Sequence, residues 1–258
     1  MKAIVSHRVL ALAAAGIGVA IAVVLTLIDR GADRAGSCRA ALIPAYLPPR
    51  ELAALAVGSG RPRMVVVNPD SGPGAREGRA YGEAVRTLQA AGVRVLGYVP
   101  TRYGTRPVAD VVADVRRYRA WYGVDGIFFD EASADASLLP YYRVVSRQVR
   151  GDGGRLVVLN PGVPPASGYF DLADVVVTFE GTHAGYATAM EATPDWLRRV
   201  RPERIAHLVY GASRAEALDA VAGSTAGYVY VTSGAMPNPW RNLSPYLDDE
   251  EEALAACR

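Results

Sequence analysis

Residues 124–133 read VDGIFFDEAS: an apolar run that stops abruptly at two carboxylates, Asp130 and Glu131. A run of β-formers without strict alternation is how a strand buried on both faces of a parallel sheet reads. The same pattern recurs on both sides of it. Upstream lie the candidate strands Ala41–Leu47, Met64–Asn68 and Val93–Val99. From Gly126–Asp130 they continue with Leu156–Asn160, Asp174–Glu180, Ile205–Tyr210 and Tyr228–Thr232. Amphipathic stretches separate them: Pro49–Val57, Arg79–Ala91, Val108–Tyr122, Leu138–Val149, Ala184–Arg199 and Arg214–Ala222, with Tyr246–Cys257 closing the chain. Eight strands, each followed by a crossover, predict an α/β fold, a (β/α)8 TIM barrel in a single domain over residues 39–258. The fifth crossover, Pro161–Ala173, contains PGVPPASG and has room for a short helical turn at most. An open doubly wound sheet is the alternative. It wants a glycine-rich turn after its first strand, where Pro44, Pro48 and Pro49 stand instead.

Polar residues sit where nearly every apolar strand ends. They are Tyr46, Asn68, Tyr98 with Thr101, Asp130 with Glu131, Asn160, Glu180, Tyr210 and Thr232. A TIM barrel builds its active site on the C-terminal rim, so these residues are expected around one mouth. Strand alternation puts Gly126, Phe128 and Asp130 on one face, with Glu131 on the other or at the lip. It likewise groups Val176, Thr178 and Glu180. Asp130 and Glu180 would then face each other from strands two apart, as glycoside hydrolysis requires of an acid and a nucleophile or base. A retaining enzyme holds such a pair about 5–5.5 Å apart, an inverting one about 6.5–9.5 Å. Phe128, Phe129 and Phe179 would lie beneath the pair and raise a carboxyl pKa.

Competing readings are weaker. Asp130 or Glu131 alone would suit a helix cap, and a carboxylate pair can also take a divalent metal. No metal site or cofactor is expected, however. Two cysteines exclude a cysteine-rich zinc site, and His7, His183 and His207 fit no metal motif. The glycines at Ser71–Gly74 lack the Lys-Ser/Thr of a phosphate loop, and no GxSxG elbow is present. The chain has 14 Tyr but 4 Phe. Tyr46, Tyr98, Tyr103, Tyr210 and Trp240 follow strands, where ring faces and hydroxyls suit a sugar. Together with Asn68, Thr101 and Asn160 they are the expected substrate contacts.

Half the residues are apolar and 21% are charged, enough for a sizeable core. The net charge of +2 comes from residues 1–38, where Lys2, Arg8, Arg30 and Arg34 face Asp29 and Asp33. Residues 39–258 are therefore neutral, without the basic clusters that nucleic acid would demand. Val9–Ile28 is an uncharged run behind Lys2 and Arg8. It is long enough to span a bilayer as a helix, with the domain outside the cytoplasm. Residues 1–38 are read as a signal-anchor or a cleaved signal peptide with a short linker, the site at Ala35-Gly36-Ser37 leaving cleavage open. The protein is thus expected to be membrane-anchored or secreted, and monomeric. Cys38 and Cys257, at the two edges of the domain, are expected to pair in an oxidising compartment.

The segments IPAYLPP, VVVNPDSGPG, YGEAVRTLQAAGVRVLGYVPTRYGTRP, VDGIFFDEAS, VVLNPGVPP, VVVTFEG and the late NPW resemble spherulation-specific family 4, from about residue 41 to 247. That resemblance implies a (β/α)8 barrel related to hydrolases of galactosamine-containing exopolysaccharide. It also implies a catalytic centre of Asp130, Glu131 and Glu180, with Asp130 as nucleophile, Glu180 as acid/base and Glu131 in support. The alanine- and arginine-rich composition and the membrane-type N-terminus look bacterial, so the polymer itself does not carry over. The leading expectation is an endo-acting glycosidase on an amino-sugar polymer. A polysaccharide-binding barrel without turnover is the alternative.

Overall fold

Parallel strands can satisfy every edge only by closing on themselves. The computed structural model describes residues 39–57, 63–151 and 155–255. The strands are β1 (Leu42–Ala45), β2 (Met64–Val67), β3 (Arg94–Pro100), β4 (Gly126–Asp130), β5 (Leu156–Leu159), β6 (Val175–Thr182), β7 (Ile205–Tyr210) and β8 (Tyr228–Val231). They form one parallel sheet in sequence order. A parallel bridge between Ala40 and Tyr228 brings the sheet round. Its bonds run from Ala40 N–H to the Gly227 carbonyl (2.9 Å) and from Val229 N–H to the Ala40 carbonyl (3.0 Å). The result is a nearly closed barrel rather than an open doubly wound sheet.

The helices are α1 (Pro49–Ala54), α2 (Arg79–Ala90), α3 (Val108–Arg117), α4 (Leu139–Arg150), α5 (His183–Glu191), α6 (Arg214–Gly223) and α7 (Leu247–Ala255). Local chemistry sets several of their ends. Ser213 and Glu216 form a reciprocal capping box on α6. Helix α3 runs on into a π turn, Tyr118–Tyr122, that stops at left-handed Gly123. The π turn carries the Tyr118 ring onto β3 at Gly97, where a Cβ would stand 2.5 Å from the ring. The Tyr118 hydroxyl donates to the Val67 carbonyl at 3.2 Å, so one residue fastens helix, β2 and β3.

Three expectations need correction. The helix expected over Ala184–Arg199 ends at Glu191, and only a short 3-10 turn, Leu197–Arg199, follows. Pro194 has no N–H to continue it and disfavours helical backbone at Thr193. Thr178 does not share a face with Glu180. The β6–β7 register shifts between Val177 and Phe179, and Thr178 hydroxyl lies 3.2 Å from His207 Nε2. His207 in turn meets Tyr186 of α5, which places Thr178 on the helix side. Phe179 also packs on Tyr186, so it lies behind the rim rather than beneath the carboxylates.

The acidic cluster that opens α7 turns two of its carboxylates inward. Glu250 is fully buried: its Oε2 accepts from Val231 N–H at 3.0 Å and its Oε1 from the Ser244 hydroxyl at 2.6 Å. Glu251 pairs with buried Arg63, which also donates to the Leu55 carbonyl. The apolar run 9–28 and both residues of the expected pair Cys38–Cys257 lie outside the described residues. Among those described, no helix is long and apolar enough to cross a membrane.

Candidate active site

The rim holds a cleft of about 610 Å³. It is lined by Tyr46 after β1, Asn68 after β2, Tyr98 of β3, Asp130 and Glu131 at β4, Asn160 after β5, Glu180 of β6, Tyr210 of β7, and Trp240 from the loop between β8 and α7. One sequence-predicted contact is missing from this wall. Thr101 is fully buried behind it, its hydroxyl donating to the Glu131 carbonyl at 2.8 Å and lying 2.9 Å from the Tyr142 hydroxyl. Thr101 therefore holds the turn after β4. Thr232 is buried as well, its hydroxyl accepting from Gly234 N–H at 3.1 Å.

The centre is a carboxylate pair joined by one amide. Asn160 Nδ2 donates to Asp130 Oδ1 at 2.7 Å and also to Glu180 Oε2. Asn160 is 4% exposed, and its Oδ1 finds no partner among the described residues. Leaving a buried acceptor unmade costs about 1–3 kcal/mol, a sacrifice typical of functional sites. Trp240 Nε1 donates to the other Glu180 oxygen at 3.1 Å. Asp130 is further held by the Tyr98 hydroxyl and by Glu131 N–H.

Glu131 has a positive φ of 50°, the left-handed region that costs a non-glycine residue energy. The turn is held there by Thr101 and by Tyr103 N–H, which donates to the Glu131 carbonyl at 2.6 Å. Strain of this kind at a cleft is a recurrent property of working sites. It lets Asp130 and Glu131, adjacent in sequence, both reach the cleft.

Burial pushes Glu180 up to about 7, and the charge of Asp130 adds to the rise, while the Asn160 and Trp240 donors oppose it. Burial also raises Asp130, against the donors Tyr98, Glu131 N–H and Asn160. Both carboxyls are thus held up by burial, and the one Asn160 amide couples them. Tyr46 and Tyr98 meet edge to face at 5.4 Å, and burial with the nearby Asp130 charge raises both phenols.

Sequence reasoning missed Ser71, Pro161, Gly162, Val163 and the segment Met236–Pro239 as cleft wall. No periodicity marks loop residues, and only the post-strand position of Pro161–Val163 offered a signal. A second cavity of about 440 Å³ lies behind β6 and β7, among Phe179, His207, Met190 and Leu197. It opens where the helix expected to reach Arg199 falls short. His207 there is lowered to about 4 by burial and is neutral at pH 7. Among the described residues, no group of three or more His, Cys, Asp or Glu is placed to hold a metal ion.

The profile of spherulation-specific family 4 matches residues 41–254. Spherulin-4 of Physarum polycephalum is 34% identical over 231 residues, which span 83% of this chain and 70% of that protein. Sph3 of Aspergillus clavatus, solved in complex with GalNAc, shares the fold with a TM-score of 0.70 at 24% identity, over 84% of this chain and 98% of that one.

Proposed function

The chain belongs to spherulation-specific family 4, and from that premise we propose that it is a retaining glycoside hydrolase acting within an amino-sugar polymer. The single observation that carries the reading is the Asp130–Asn160–Glu180 bridge. Two oxygens that accept from one nitrogen can stand no further apart than two hydrogen-bond lengths, about 5–6 Å. So close an approach favours a retaining pair, whose carboxyls stand about 5–5.5 Å apart, over an inverting one at about 6.5–9.5 Å.

The family resemblance assigns the roles, and the raised pKa of Glu180 supports its part as acid. Asp130 attacks the anomeric carbon. Glu180 gives its proton to the leaving glycosidic oxygen, and the sugar is left esterified to Asp130. Glu180 then takes a proton from water as that water attacks the same carbon, which frees the sugar and restores both groups. Glu131 stands beside Asp130 and tunes it. Tyr103, 63% exposed, offers a ring face for the sugar, with Tyr210 and Trp240 across the cleft.

The polymer class rests on the family and on the fungal structure that holds GalNAc. Charge supports it: three acids and no Lys, Arg or His stand among the described residues lining the cleft, so uronic acid polymers are disfavoured. In this reading residues 1–38 deliver the barrel of residues 39–258 outside the cytoplasm, as an anchor or a cleaved signal, and a Cys38–Cys257 bridge fastens its ends.

Incubation with a galactosamine-containing polymer should release reducing ends and shorter chains. Binding without any release would replace the hydrolase with a polysaccharide-binding barrel. The pH dependence carries a sign. Glu180 must be protonated to act as acid, so kcat/KM is expected to fall as pH rises through about 7. A rate that keeps rising to pH 9 removes Glu180 from the acid role.

A further inference from the structure

Glu250 lies on α7, outside the cleft, and takes no part in the chemistry above. Its two oxygens accept from two different segments: Val231 N–H of β8 at 3.0 Å, and the Ser244 hydroxyl, in the loop that carries Trp240, at 2.6 Å. Ser244 N–H donates to the Tyr230 hydroxyl at 2.8 Å. The Tyr230 ring packs against Trp240 with centroids 6.0 Å apart, and Trp240 Nε1 reaches Glu180 at 3.1 Å. Tyr210 meets the same indole edge to face, also at 6.0 Å.

We infer that Glu250 is a positioning residue for the acid, setting the Trp240 indole on Glu180 through Ser244 and Tyr230. A leucine of similar bulk would fill the fully buried space but leave a strand N–H and a serine hydroxyl unpaired. The carboxyl fixes the base of the loop against the barrel wall at the height where Tyr230 leaves the strand. The indole then has its N–H aimed at one carboxyl oxygen. The ionisable groups facing Glu250 are Asp249 and Glu251 of its own helix, Tyr230 of β8 and Tyr246 of the loop. Those facing Glu180 are Asp130 and, across the cleft, Tyr46 and Tyr98.

The test compares Glu250→Leu, Trp240→Phe and the double variant. Its kinetic arm rests on the proposed hydrolase, and its optical arm does not. Losing the indole N–H removes a donor that favours charged Glu180, so Trp240→Phe should move the alkaline limb of kcat/KM up by about half a unit to one unit. Glu250→Leu should move it the same way, and the double variant no further than Trp240→Phe alone. If Glu250→Leu lowers Tm while the limb stays in place, Glu250 is structural only and the inference falls. It also falls if the two shifts add.

For the optical arm, Trp121 and Trp196 are replaced by Phe so that Trp240 is the one emitter of the three Trp. Glu250→Leu should then shift its emission to longer wavelength as the indole loosens into water; an unchanged spectrum overturns the proposal whatever the enzyme does. Ser244→Ala cuts the same link with less disturbance to the core. It serves both arms in place of Glu250→Leu if that variant does not fold.

Discussion

Asp130→Asn is expected to cut turnover of galactosamine polymer by at least about 10³-fold while leaving Tm within a few degrees of wild type. Asparagine keeps the shape and can still accept from the Tyr98 hydroxyl and Glu131 N–H, so the rim stays assembled. What is lost is the charge that, in the proposed mechanism, attacks the anomeric carbon. Glu180→Gln should be about as damaging for a different reason, because it cannot supply the proton in the first step or accept one in the second. Reducing-end release against time, with thermal melts on the same samples, checks both. Either variant working within tenfold of wild type would remove its residue from the mechanism.

The largest stability effect belongs to a residue far simpler than either. Gly126 opens β4, and a Cβ there would lie 2.3 Å from the Leu156 carbonyl oxygen and 2.7 Å from Leu156 Cβ. Neither backbone can rotate out of the way, so β4 and β5 must part. Gly126→Ala is expected to cost about 3 kcal/mol, which lowers Tm by about 6–12 °C in a domain of this size. Gly223→Ala, where an added Cβ meets nothing within 4 Å, is the control and should change little. Equal melting curves for the two variants would show that the strands separate at little cost.

All eight strands were legible in the sequence to within two residues at either end, because strands buried on both faces write themselves as apolar runs. The carboxylates were legible for a related reason: Asp130, Asn160 and Glu180 stand where such runs end, and the rim gathers what stands there. Thr178 was not, because a register shift of one residue turns a side chain to the other face without leaving a trace in composition. The shortened α5 left a trace that was outweighed. Pro194 interrupts a stretch otherwise rich in helix formers, and the interruption decided the outcome. Trp240 was read as a sugar contact. Its bond to Glu180 depends on how the loop 232–246 folds, and nothing periodic describes that.

The single nitrogen shared by Asp130 and Glu180 has a further consequence for how the centre answers to acid. Two carboxyls tied through one amide release their protons in two macroscopic steps that belong to the unit rather than to either residue. The Asn160 side chain, with no proton to give up, lowers both midpoints against the burial that raises them. Its two hydrogens favour the charged form of whichever partner they face, so replacing it lifts the whole titration rather than one limb. In the proposed mechanism the working pH window is set by burial and trimmed by an amide that takes no part in the chemistry.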